Sequence, residues 1–220
     1  RDQHHENQGE TRMKRILGAQ CDDFHISSRL FFKLELTLER ESVLHFFERV
    51  RREYPEMKRF RRRDNALILE ENDAEGPGES QQWIRLEPNA LRFGCFAPPN
   101  PEEPQRFARF LLQQAPHHLT LSDLDIDHLE ITYGFDMEYR GNHDQLVAET
   151  LYRDHPLASF IMGDESAHTV DCQPYFGIAL SPKCDLQAYL EVKSRTNSFE
   201  VRTGEYESQL LSVNLNVHRY

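Results

Sequence analysis

The sequence predicts an α+β protein with helices packed on one side of antiparallel sheet. Two observations carry that prediction. Apolar residues fall at every second position along two long runs, and an amphipathic helix with a capping residue follows each run. Short alternating runs separated by turn residues then follow each helix, which is the pattern of hairpins. The same order occurs twice. The chain therefore reads as a polar, disordered tail over 1–20 and two similar halves, 21–122 and 123–220, that share a core. The halves form either a ferredoxin-like duplication or one continuous antiparallel sheet.

In the first run Leu30, Phe32, Leu34, Leu36 and Leu38 face one way, and Arg29, Lys33, Glu35, Thr37 and Glu39 the other. Ser42 is placed to cap a helix whose inner stripe is Val43, Phe46, Phe47, Val50 and Tyr54, and Pro55 stops it. Asp64-Asn65 turns a hairpin inside MKRFRRRDNALILEE, and Pro88-Asn89 turns another inside QQWIRLEPNALRFGCF, with the polar loop ENDAEGPGES between them. Asn100, Pro101 and Glu103 open a second capped helix with the stripe Phe107, Phe110, Leu111 and Ala115.

In the second run Leu129, Ile131, Tyr133, Phe135, Met137 and Tyr139 share one face, opposite Glu130, Thr132, Asp136, Glu138 and Arg140. Asn142 and Gln145 form a capping box for a helix starting at His143, which ends before Pro156. Beyond a loop from Met162 to Ala167, the runs YFGIALS, LQAYLEVKSRT, SFEVRT and QLLSVNLNVHRY read as strands, punctuated at Pro182 to Asp185 and Asn197-Ser198. LEVKSRTNSFEVRTG then matches IRLEPNALRFG as a hairpin with an asparagine turn. The terminal run LLSVNLNVHRY alternates to the last residue and is expected at a sheet edge, as a contact for self-association.

Composition narrows the function. Apolar residues make up 38% and charged residues 29%, which suits a soluble domain with a wet surface. No run approaches the roughly 18 apolar residues of a membrane span. A net charge of −11 argues against nucleic acid and anionic lipid as general partners. The opening RDQHHENQGETRMKR lacks the apolar segment of a secretory signal, and Cys21, Cys95, Cys172 and Cys184 show neither C-x-x-C nor zinc-like spacing. A cytoplasmic setting is the expectation.

Three clusters invite a functional reading. Arg52, Lys58, Arg59, Arg61, Arg62 and Arg63 form a basic run that could dock a phosphate or an acidic protein partner, although strand alternation would divide them between two faces. Asp123, Asp125 and Asp127 begin like a calcium loop, but His128 and Gly134 stand where that loop needs glycine and glutamate. No metal or cofactor is assigned. Asp136, Glu138, Arg140 and His143 gather carboxylates, a cation and a proton carrier, with neighbouring strand carboxylates about 7 Å apart. They are the candidate catalytic set, against a structural reading in which the charges are a solvated face and Asn142 a helix cap. No G-x-S-x-G, P-loop, dinucleotide fingerprint or H-E-x-x-H is present.

The run YGFDMEYRGNHDQLVAE, with REYPEMKRF upstream and VRTGEYESQLLSVNLNVHRY at the end, resembles an uncharacterised family of bacterial hypothetical proteins. The resemblance covers most of the chain from Met13 onward and implies no activity. The expectation is a non-catalytic binding or self-assembling protein, forming a homo-oligomer. The rival is a small hydrolase-like or lyase-like enzyme acting on a charged small molecule at the polar face of strand 130–140. A concavity reached by that face would favour the rival, and a flat solvated sheet the first reading.

Overall fold

Alternation along the first run becomes β1 (Asp23–Phe32), whose buried residues Ile26, Ser28, Leu30 and Phe32 fall at every second position. The computed structural model describes residues 21–37, 39–71, 80–163 and 167–220. The expected tail over 1–20, Leu38, residues 72–79 of the glycine-bearing loop and residues 164–166 lie outside the described residues. The further strands are β2 (Arg59–Arg63), β3 (Ala66–Glu70), β4 (Gln81–Glu87), β5 (Ala90–Phe96), β6 (Ile126–Arg140), β7 (Tyr175–Ala179), β8 (Leu186–Lys193) and β9 (Ser208–Arg219). They form one sheet in the order β2-β3-β4-β5-β1-β6-β9-β8-β7, and every neighbouring pair is antiparallel.

The sheet is continuous across the boundary at 122, because β1 and β6 pair along their whole overlap, from Asp23 opposite Asp136 to Phe32 opposite Ile126. Each half brings its last strand back beside its first, β5 beside β1 and β9 beside β6. Helices α1 (Arg40–Glu53) and α2 (Glu102–Leu119) cover one face of the first half. Helix α3 (His143–Tyr152) covers the same face of the second, where Val147 meets Val192 and Leu211. Two short helices, α4 (Ala158–Ile161) and α5 (Ser198–Thr203), complete the described elements.

The larger core lies under α1 and α2, and the predicted stripes build it. Val43, Phe46, Phe47 and Val50 from α1 and Phe107, Leu111 and Ala115 from α2 are buried against Leu30, Leu69, Ile84, Leu86, Leu91 and Phe93. Phe107 packs edge-on to both Tyr54, at 4.9 Å, and Phe93, at 6.2 Å. Truncating this ring to alanine would cost about 3–5 kcal/mol. Asn100 caps as expected, accepting from the backbone N–H groups of Glu102 and Glu103 at 3.1 and 2.9 Å. Asn142 caps α3 by accepting from Gln145 N–H at 3.1 Å.

Several expectations need correction. The first strand leaves the sheet at Phe32, where its register shifts, and Leu34 is 76% exposed. From there Phe32 and Lys33 give their N–H groups to Asn89 and Asp125, so the alternation at 34–36 belongs to a connection. Helix α1 begins at Arg40, ahead of Ser42, with Val43 N–H bonded to Glu39 carbonyl. SFEVRT is a helix, not a strand. Asn197 accepts from Glu200 N–H while the Glu200 carboxylate accepts from Asn197 N–H, and Gly204 closes the helix at φ 71°. This reciprocal cap outweighs the β propensity of Phe199 and Val201. The proposed match of LEVKSRTNSFEVRTG to a hairpin therefore fails. The terminal run is not at an edge either, since β9 lies between β6 and β8 and the edges are β2 and β7.

Candidate functional site

Because directly opposed residues share a face, the register fixes what lies on the side of the sheet away from α1, α2 and α3. Along the central pair, His25 opposes Gly134, Ser27 opposes Thr132 and Arg29 opposes Glu130. Strand β9 adds Asn214, Asn216 and His218 beside Gly134, Thr132 and Glu130. The residues in the middle are small and polar or lack a side chain, while longer charged ones stand around them. The result is an open hollow of about 500 Å³ whose floor is β1, β6 and β9.

Several of its side chains are linked to one another, while two side-chain nitrogens have no partner among the described residues. Thr132 donates its hydroxyl to Asn216 Oδ1 at 2.7 Å. The Asp136 carboxylate accepts the Ser212 hydroxyl, and Ser212 Oγ accepts from Arg195 at 3.1 Å. The ring of His25 lies over Gly134, with Nδ1 3.9 Å from Asp136. His25 Nδ1 and Arg29 Nε are buried without a hydrogen-bond partner among the described residues. Burial, and then the neighbouring charge of Arg92, lower the pKa of the Arg29 guanidinium below the ordinary arginine value.

Aromatic rings border the hollow. Arg29 lies 4.1 Å above the Phe31 ring, Phe31 stacks on His128 at 4.1 Å, and His128 stacks beside His218 at 5.9 Å. Tyr189 lies 4.9 Å from His218 and stacks on Tyr175 at 5.2 Å. Lysine and arginine contribute four charges to the lining, Arg29, Arg92, Lys193 and Arg195, against three from Glu130, Asp136 and Glu191. A chain of net charge −11 thus lines this polar concavity with a slight excess of cationic side chains.

The candidate catalytic set is divided. Asp136 lines the hollow. Glu138 shares its face but sits at the rim, accepting the Ser208 hydroxyl at 2.8 Å, and Arg140 donates to Tyr206 carbonyl at 3.1 Å. His143 is 1% exposed at the start of α3, where its Nε2 meets Tyr139 carbonyl at 3.2 Å and its Nδ1 faces Arg195 N–H at 3.4 Å. It braces a helix start and is not part of the hollow's lining. Its neighbour Asp144 is equally buried, accepting from Cys172 N–H at 2.8 Å and the Ser194 hydroxyl at 2.7 Å.

The basic run is also dispersed. Arg59 and Arg61 converge on Glu70, at 3.5 and 3.0 Å, and Lys58 pairs with Glu56. Arg59, Arg61 and Arg63 point to one face of β2 while Arg62 points to the other, lining a cavity of about 620 Å³ with Phe60 and Leu67. Arg52 is exposed on the last turn of α1. In the acidic loop, Asp125 accepts the Ser122 N–H and hydroxyl, which lowers its pKa, and Asp127 pairs with His128 at 2.8 Å. Among the described residues no three His, Cys, Asp or Glu side chains gather as a metal site.

Sequence reasoning missed His25, Arg29, Arg92 and the β9 stripe of Ser212, Asn214, Asn216 and His218. The stripe did carry a signal. A solvated strand face is ordinarily dressed in lysine and glutamate, whereas SVNLNVH offers four uncharged hydrogen-bonding groups in succession. No family model matches the chain, and no curated protein is significantly similar to it.

Proposed function

We propose that the protein binds a small polar molecule in the hollow over β1, β6 and β9. The observation that carries this reading is that His25 and Arg29 line the same concavity and that each holds a buried side-chain nitrogen, Nδ1 and Nε, without a hydrogen-bond partner among the described residues. Buried polar groups are almost always satisfied, and a ligand contact is a standard reason for an exception. The volume lies within the roughly 300–1,000 Å³ of small-molecule sites. A tryptophan at Thr132 would fill the floor without touching the core under the helices. Native mass spectrometry should detect a bound small molecule on the gently purified wild type and none on T132W. A wild type that binds nothing from a broad panel of polar metabolites, or a T132W protein that binds equally well, refutes the reading.

An enzymatic reading is favoured by one further contact, the approach of His25 to Asp136. An imidazole beside a carboxylate can take up and release a proton, and such contacts often tighten only when substrate binds. Under this reading H25Q loses turnover while still carrying the ligand mass. The rival enzyme then uses Asp136 with His25 in place of His143.

Self-assembly enters the proposal through β7. All five of its residues are exposed, YFGIA carries no charge, and its outer edge has no partner strand among the described residues. Antiparallel pairing of two copies about Gly177 would satisfy that edge. The arginines of the basic run give an acidic partner no single surface. A cytoplasmic setting is supported by four free cysteines, and no helix among the described residues is long and apolar enough to cross a membrane. The parallel strand order of the two halves supports an origin by duplication.

A further inference from the structure

One row of residues across the open face concentrates like charge. Arg29 on β1 stands directly opposite Arg92 on β5, and Arg92 directly opposite Arg85 on β4, so three guanidinium side chains emerge side by side. Like charges directly opposed across an antiparallel pair are destabilising, so the fold alone gives no reason for such a row. The available carboxylates answer it only in part. Glu87 takes Arg85 at 2.6 Å and reaches Arg29 at 3.8 Å. Glu130 opposes Arg29 but sits 3.2 Å from His218. Arg92 has no ion pair or hydrogen bond among the described residues, and it lines the hollow. Arg29 Nε is buried and unpartnered on the same wall.

We infer that Arg92 and Arg29 form an anion subsite, and that the ligand of the hollow is a small molecule bearing a phosphate group. This rests on the hollow being the binding site. A planar guanidinium presents paired donors matched to phosphate oxygens, and two neighbouring forks can share one tetrahedral anion. Guanidinium charges that the local carboxylates leave incompletely neutralised suit a phosphate monoester, which carries about −1.5 to −2 near pH 7. Phe31 under Arg29 and the His128–His218 stack lie beside the anion end. The small polar floor of Ser27, Thr132, Asn214 and Asn216 then faces the uncharged part of the ligand.

The test uses inorganic phosphate as the probe, against chloride at matched ionic strength, on wild type, R92Q, R29K and T132W, with R52Q as a surface control. Phosphate is expected to raise the wild-type and R52Q melting temperatures saturably and to leave R92Q unmoved. R29K, which keeps the charge but loses the fork, is expected to weaken the response at least tenfold in apparent affinity. In chloride alone R92Q is expected to melt about 1–3 °C above wild type, because the repulsion in the row is relieved. That combination is not expected of an arginine with a purely structural role. The inference is overturned if phosphate does no more than chloride, or if R92Q responds like wild type. The two readings fail differently. A phosphate response that survives T132W but not R92Q keeps the anion subsite and refutes the hollow as the ligand's seat. A ligand mass on wild type that persists with undiminished affinity on R92Q keeps the hollow and refutes the anion subsite.

Discussion

His25 lies across the face of Gly134, so that a Cβ at position 134 would stand 2.0 Å from His25 Cε1 and 2.4 Å from Nε2. The two residues are register partners in the central strand pair, and the missing side chain of one makes the resting place of the other. G134A therefore forces the imidazole out of the hollow floor and away from Asp136. Urea unfolding should show a loss of about 1–3 kcal/mol, typical of overpacking. In the H25A background the same substitution should be neutral or slightly stabilising, because alanine restricts the unfolded chain more than glycine. Equal losses in both backgrounds would show that the glycine serves the strand and not the ring.

The buried thiol of Cys95 predicts an alkaline limit to stability. Burial pushes its pKa up to about 11 from an ordinary 9.0, with the Ser80 hydroxyl 3.3 Å away opposing the rise. The folded state holds the proton more tightly than the unfolded one. Its contribution is therefore whole below pH 9 and disappears as pH climbs from 9 to about 11. Melting temperatures of C95A should decline less steeply than those of wild type across that window. At pH 8 a thiol reagent should modify exposed Cys184 in the native protein and reach Cys95 only on unfolding. Labelling of Cys95 at the same rate as Cys184 would contradict its burial.

At the β7 edge, Ile178 is half exposed in the middle of an uncharged strand. I178K should convert a dimer to a monomer in size-exclusion chromatography with light scattering, with the melting temperature changing by no more than about 2 °C. A wild type that is monomeric at high concentration, or an I178K protein that stays dimeric, removes the proposed edge contact.

Removing Leu211 to Tyr220 should destroy the fold and not merely an interface. The deletion strips β9 from between β6 and β8 and takes Leu211 and Val213 out of the second core. The truncated chain is expected to lose the cooperative thermal transition followed by circular dichroism. A cooperative transition at a lower temperature would show that β1 to β6 carry the fold without it.

Much of the architecture was legible because it depends on local rules. Asp64-Asn65 and Pro88-Asn89 announced their hairpins, and Asn100 and Asn142 their helices, since turn and cap chemistry act within four residues. Asn197 was misread because an asparagine before an alternating run signals a turn or a cap equally well. What separated them was Glu200 three residues on, answering Asn197 from within SFEVRT. The site was less legible still. Asp136 was reached because it lies on an obvious strand face, but His25, Arg29, Arg92 and Asn214 come from strands distant in sequence and meet only through register. The structural role of His143 was hidden for a related reason, since its partners Tyr139 carbonyl and Arg195 N–H are backbone groups without a sequence signature.

The two margins of the sheet differ in a way that bears on growth. One margin, β2, reads RFRRR and is exposed along nearly its whole length, while the other, β7, reads YFGIA. Joining β7 of one copy to β2 of the next would repeat without end and build a ribbon. Joining β7 to β7 stops at two, because both remaining margins are then arginine-rich and repel each other. Under the proposed β7-to-β7 pairing, the charge gathered on β2 would act as a stop signal, ending the extension of the sheet at two copies.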